Sequence, residues 1–175
     1  SPHEAIELGI ALISENRKEE GILPNFDNKD NISLASMKKY MSGIVINDDK
    51  KKRNALEKGK QVGLKPNDPA FMTVSLSGGN AQKVILARWM STDATVMIFD
   101  EPTKGIDIGA KADIYLLMEK MAAEGIAIIM VSSELTEVMG MSDRILVMSD
   151  GKITGELMKD EFSEESILNY TVEEN

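Results

Sequence analysis

From residue 80 onward the chain alternates between stretches that read as helix and stretches that read as strand. Helices are expected over 80–90, 110–124 and 134–139, and strands over 95–99, 127–132 and 144–148. The strand candidates, such as Val96-Met97-Ile98-Phe99 and Ile126 to Val131, are nearly continuous apolar runs rather than polar-apolar alternations. Runs of that kind between helices predict an α/β fold whose parallel sheet is covered by helices on both faces. Such a sheet places ligands at the carboxyl ends of its strands.

The rest of the chain fits around that core. Ser1 and Pro2 read as a helix start, the apolar run over 9–14 as a strand, and the charged run over 15–21 as its end. Residues 30–70 are lysine-rich and helical in pattern, with helices over 31–40 and 48–63 joined by a turn near Ser42 and Gly43. This divides the chain into a core formed by 1–29 and 71–175 and a helical subdomain over 30–70, whose helices continue into the one near 77–90. The tract Lys50-Lys51-Lys52-Arg53 reads as a solvated helix face. Ser149-Asp150-Gly151 predicts a hairpin turn that adds a strand over 152–156 to the sheet, and a last helix follows over 163–170.

Composition removes several classes of function. The 175 residues contain 20 Lys plus Arg against 29 Asp plus Glu, a net charge of -9, which opposes binding to a nucleic-acid backbone. There is no cysteine and only one histidine, His3, so neither a thiolate nucleophile nor a Cys- or His-built metal centre is available. Apolar runs fall far short of the roughly 20 residues that cross a bilayer, and the chain reads as a soluble body. The methionines, including Met118, Met121, Met130 and Met139, and Trp89 read as packing residues, and His3 as an exposed one.

Two motifs carry chemistry. Met97-Ile98-Phe99 ends in Asp100-Glu101-Pro102-Thr103, an apolar strand closing on two adjacent acids, the Walker B arrangement. The first acid can support Mg2+ and the second can polarise an attacking water. Leu76-Ser77-Gly78-Gly79-Asn80 stands directly before a helix. Its glycines admit an anion close to the backbone, Ser77 can donate to it, and the helix N-terminus favours negative charge.

Together with Gly105-Ile106-Asp107, these motifs resemble the nucleotide-binding domains of ATP-binding cassette transporters. ISENRKEEG from Ile13, NISL from Asn31, KGIDIGAK from Lys104 and VSSELTEVMGMSDRI from Val131 resemble the second cassette of bacterial ribose-, galactose- and xylose-type importers. The resemblance implies a P-loop NTPase (RecA-like) fold, ATP and Mg2+ as cofactors, and the following roles. Asp100 supports the metal and Glu101 polarises the hydrolytic water. Ser77, Gly78, Gly79 and Asn80 bind, in trans, ATP held by the opposite cassette, and Asp107 communicates across the cassette pair. Glu15 stands where most cassettes carry a metal-sensing Gln, and Ser133 where most carry a switch His that serine cannot replace as a proton carrier. The implied partners are a first cassette in the same polypeptide, transmembrane permease subunits and an extracytoplasmic sugar-binding protein, with the chain peripheral on the cytoplasmic face of the membrane.

The phosphate loop GxxxxGK[ST] is absent from the sequence. Gly59-Lys60 continues into Gln61 and Gly151-Lys152 into Ile153. The resemblance therefore predicts a truncated sheet, a glycine loop and another cassette encoded upstream, and a fragment that by itself neither binds ATP tightly nor hydrolyses it. Unpaired strand edges predict self-association of the fragment as a homodimer. Two other classes are weighed against this reading. A DNA-repair or translation ATPase of the same type calls for basic surfaces or sustained heptads, which this chain lacks, and a non-catalytic interaction module leaves Glu101 without a purpose.

Overall fold

The computed structural model describes residues 1–171, which form two compact units, one over Ser1–Met130 and one from Val131 onward.

The first unit opens with α1 (Pro2–Glu7), closed by a capping box in which Ser1 and Glu4 bond each other's backbone N–H. Gly9, at φ 77°, turns the chain into β1 (Ile10–Ile13). After a π-helical turn, Arg17–Gly21, come α2 (Asn28–Ser33), the two-residue strands β2 (Met41–Ser42) and β3 (Val45–Ile46), and α3 (Asp48–Gln61). Then follow α4 (Gly78–Trp89), β4 (Val96–Asp100), α5 (Ile108–Ala123) and β5 (Ala127–Val131). The sheet order is β1-β4-β5, with β1 and β4 parallel in the register Ile10 to Val96 through Ile13 to Phe99.

Burial alternates along these strands. Ala11, Ile13, Met97 and Phe99 are sealed, together with Val84 to Ala87 of α4 and Ile114, Met118 and Met121 of α5. On β1 and β5, Leu12 is 54% exposed and Ile129 and Val131 are each 52% exposed. Within this unit the face of β1 that carries Leu12 is less covered than the face that carries Ala11 and Ile13. An apolar run marks a strand as able to be buried twice over, but it does not supply the second layer.

The helical segment differs from its expected form in three places. The helix read over 31–40 begins earlier, at Asn28, where the Asp27 carboxylate accepts from Asp30 N at 2.8 Å. It gives way after Ser33 to a 3-10 stretch, Leu34–Tyr40. Ser33 Oγ donates to Lys29 O at 2.7 Å and Ser36 Oγ to Ser33 O at 3.4 Å, so short hydroxyls compete for the carbonyls of the helix. The turn near Ser42 and Gly43 is a small antiparallel hairpin, with Gly43 at φ 63°. Third, Lys51 does not lie on a solvated face. It is buried and ion-paired with Asp30, whereas Lys52 and Arg53 are exposed. Both α2 and α3 pack on α4.

The second unit contains α6 (Leu135–Met141), β6 (Arg144–Ser149), β7 (Lys152–Met158) and α7 (Glu164–Asn169). Asp150 and Gly151 turn the hairpin with φ of 48° and 77°, the left-handed pair that suits a two-residue connection. β6 and β7 pair with each other as a two-stranded antiparallel sheet, with a register shift between Val147 and Met148. Their alternating pattern buries Ile145, Val147 and Leu157 with Ile167 in a core of their own.

Candidate functional site

β4 runs apolar into Asp100, and the next residue takes an unusual backbone. Glu101 has φ 47°, a left-handed conformation that costs an L-residue of this kind about 1–2 kcal/mol. The chain there turns sharply into a loop whose Pro102 and Thr103 are buried, Thr103 at 1% exposure. A strand end fixed below by buried residues and strained above presents the two carboxylates at the carboxyl edge of the sheet.

The same edge receives the end of β1. Glu15 Oε1 accepts from Lys104 Nζ at 2.7 Å, both side chains being partly exposed. This hydrogen bond, with Glu101 and Asp100 adding to it, raises the Lys104 pKa above its ordinary value. Glu15 thus holds the Lys104 ammonium directly, and the charges of Glu101 and Asp100 act on it from farther off. Among the described residues, no three His, Cys, Asp or Glu side chains are grouped closely enough to hold a metal ion alone. Mg2+ commonly takes one or two carboxylates and completes its shell with phosphate and water, and the hard oxygen donors at this edge fit that habit.

The turn before α4 is built as the sequence suggests, with more constraint than it reveals. Ser77 caps the helix, its Oγ accepting from Asn80 N at 3.4 Å and from Asn80 Nδ2 at 3.0 Å. With both lone pairs engaged, the Ser77 proton is left for an outward bond. Asn80 Oδ1 accepts from Lys65 N at 2.8 Å, which fixes the amide orientation. Gly79 is required by α5, because a Cβ there would stand 2.6 Å from Ala110 Cβ. Gly79→Val is accordingly expected to cost about 1–3 kcal/mol, read as a lower urea midpoint, and Ala110→Gly in the same chain to recover part of it.

Asp107 caps α5, its carboxylate accepting from Ala110 N at 3.0 Å. It lies on the loop that leaves Glu101, and Lys83 pairs with Asp113 of α5 at 2.6 Å, holding the Asp113 carboxyl below its usual range. Ser133 belongs to the second unit and is exposed, next to Ser132, whose hydroxyl donates to the buried Glu137 carboxylate and accepts from Glu134 N at 3.1 Å.

Two residues at the site were not singled out from the sequence. Arg17 donates to Gly78 O at 3.4 Å and to Lys104 O, so it connects the turn before α4 with the loop after β4. Lys104 pairs with Glu15 across the sheet edge. Their partners are far along the chain, where spacing gives no signal.

Comparison with known proteins adds independent findings. The family described as ABC transporter matches residues 3–104. The arabinose import ATP-binding protein AraG of Pseudomonas syringae pv. syringae is 48% identical over 98% of this chain and 34% of its own length. The xylose import ATP-binding protein XylG of Photobacterium profundum is 46% identical over 99% of this chain and 34% of its own length. The ribose import ATP-binding protein RbsA of Halalkalibacterium halodurans is 43% identical over 97% of this chain and 34% of its own length. The chain thus spans about a third of the curated relatives it matches. Among solved structures, the ATP-binding cassette MJ1267 superposes with a TM-score of 0.78 at 20% identity, covering 97% of this chain and 71% of that one. The dimeric bacterial cassette MJ0796 gives 0.72 at 22% identity, covering 87% and 64%. These two likenesses establish the fold.

Proposed function

The chain belongs to the ABC transporter family, and from that membership we propose that it is part of the ATP-hydrolysing subunit of a bacterial monosaccharide importer. The observation that carries the proposal is Glu101, a carboxylate held in a left-handed backbone directly after Asp100 at the sheet edge. Strain of that kind serves a group that must be aimed, and the geometry suits a base directed at water.

Each residue then has a task. Glu101 orients and polarises the water that attacks the γ-phosphate of ATP, and Asp100 supports the metal through its hard oxygens. Mg2+, when bound with ATP, neutralises charge on the phosphates. Ser77 donates its remaining proton to a phosphate oxygen of ATP held by the opposite cassette, while Gly78, Gly79 and the N–H groups before α4 approach the same anion, with Asn80 fixing Ser77 from behind. Asp107, at the start of α5, faces the paired cassette. Glu15 stands at the metal-sensing position, and Ser133 at the switch position, where a hydroxyl cannot relay a proton as imidazole does. That difference makes the site including Ser133 slow or mainly regulatory.

The intact protein pairs this cassette with another in the same polypeptide, lies on the cytoplasmic face of the membrane, and drives permease subunits supplied by a sugar-binding protein. The helical subdomain over 30–70 includes the face turned to the permease. Names of relatives that import ribose, arabinose and xylose support a monosaccharide substrate. The net charge of -9 weighs against a DNA-repair or translation ATPase.

The 175 residues alone, without GxxxxGK[ST], lack the charge-assisted phosphate contacts of a cassette and neither bind ATP tightly nor hydrolyse it. Calorimetry with MgATP is expected to show no micromolar binding to this chain. The exposed Leu12, Ile129 and Val131 support homodimer formation by these residues, and light scattering that stays monomeric across concentrations would remove that proposal. The function itself is tested by deleting the gene and measuring uptake of ribose, galactose, xylose and arabinose. Loss of uptake of at least one is expected, and unchanged uptake of all four overturns the reading.

A further inference from the structure

Resting on the function just proposed, we infer that Arg17 is a positioning residue that ties the segment around Glu15 to both the turn before α4 and the loop after β4, so that the three move as one body. The guanidinium is a rigid fork, and here its prongs take different backbones: Nη1 donates to Gly78 O at 3.4 Å, and Nη2 donates to Lys104 O. Two glycines lie against it at ordinary contact distance. A Cβ at Gly105 would lie 3.5 Å from Nη2, and one at Gly78 would lie 3.9 Å from Nη1 and 3.6 Å from Gly105 O.

The root of the fork is as well fixed as its tips. Arg17 N donates to Glu15 O at 2.9 Å, and the π-helical turn that Arg17 begins packs against α4. Glu15 holds Lys104 by its ammonium while Arg17 holds the same residue by its carbonyl. Any displacement of residues 15–17 therefore pulls on Lys104 twice and on Gly78 once. Ser77 directly precedes one anchor and Asp107 follows the other by three residues, so an event at Glu15 reaches the serine hydroxyl and the loop that ends in the capping aspartate together. Lysine would keep the charge but could not span two carbonyls.

The test uses the intact ATPase containing this chain, with Arg17→Lys and Arg17→Met, the latter keeping the apolar stem. Hydrogen exchange is expected to accelerate about tenfold at the amides of 79–81 and of 104–107 together, with the amides of β1 unchanged. Acceleration in only one segment, in neither, or equally in β1 overturns the inference, as does wild-type exchange in Arg17→Lys. In the same variants, kcat is expected to fall about tenfold with KM for ATP unchanged, since Arg17 acts through other residues. A raised KM with unchanged kcat also overturns it. Failure of the functional reading is separate: Glu101→Gln with full turnover would refute ATP hydrolysis at this site while leaving the exchange result standing.

Discussion

Glu101→Gln in the intact ATPase is expected to lower ATP turnover by about 10²–10⁴-fold, the range supplied by a positioned general base. The amide matches the carboxylate in shape but cannot take a proton from water, so nucleotide binding persists while the chemical step stalls. Stability is expected to change little, because glutamine inherits the same φ of 47° and the same backbone strain. Steady-state turnover with single-turnover controls checks this. Undiminished activity would point to a scaffold whose paired acids only end a strand.

The largest effect on folding is expected at Asn31. Its side chain is fully buried and holds three segments: Oδ1 accepts from Leu23 N at 2.9 Å and from Arg88 Nη2 at 3.1 Å, and Nδ2 lies within bonding distance of Leu23 O, Phe26 O, Asp27 O and Thr73 Oγ1. Arg88 Nε also donates to Asn31 O at 2.7 Å, and burial pushes the Arg88 pKa down to about 10. Asn31→Leu removes the acceptor of Arg88 Nη2 and of the Leu23 N–H, while Arg88 Nε keeps the backbone carbonyl of residue 31, and a loss of roughly 3–5 kcal/mol is expected from the two buried donors left unpaired. Denaturation in urea measures it, and a loss of under about 1 kcal/mol would mean that the guanidinium finds water instead.

Such a network explains where sequence reading succeeds and where it stops. The strand ending in Asp100 and Glu101 was legible because apolar runs and terminal acids are local patterns, and the cap at Ser77 because its partner Asn80 is three residues away. Asp107 announces itself in the same way, with Ala110 three residues on. Arg17 and Lys104 were not legible, since each acts on carbonyls or carboxylates from distant segments. Lys51 looked solvated from its neighbours and is buried because Asp30 meets it from another helix. The hairpin of β6 and β7 was legible from its turn. The turn chemistry of Asp150 and Gly151 determines that two strands meet, while pairing beyond them depends on whether a further edge is available. The less covered face at Leu12 escaped for a related reason, since hydrophobicity records a preference and not its fulfilment.

The joint between Asn31 and Arg88 has a bearing on brine tolerance. Ion pairs at the surface, such as Arg144 with Glu156 at 3.1 Å, relax as counter-ions crowd around them, but a guanidinium gripped by an uncharged amide between α2 and α4 offers dissolved ions almost nothing to shield. In concentrated electrolyte the seam between the lysine-rich helices and α4 should hold its alignment while the outer charges let go.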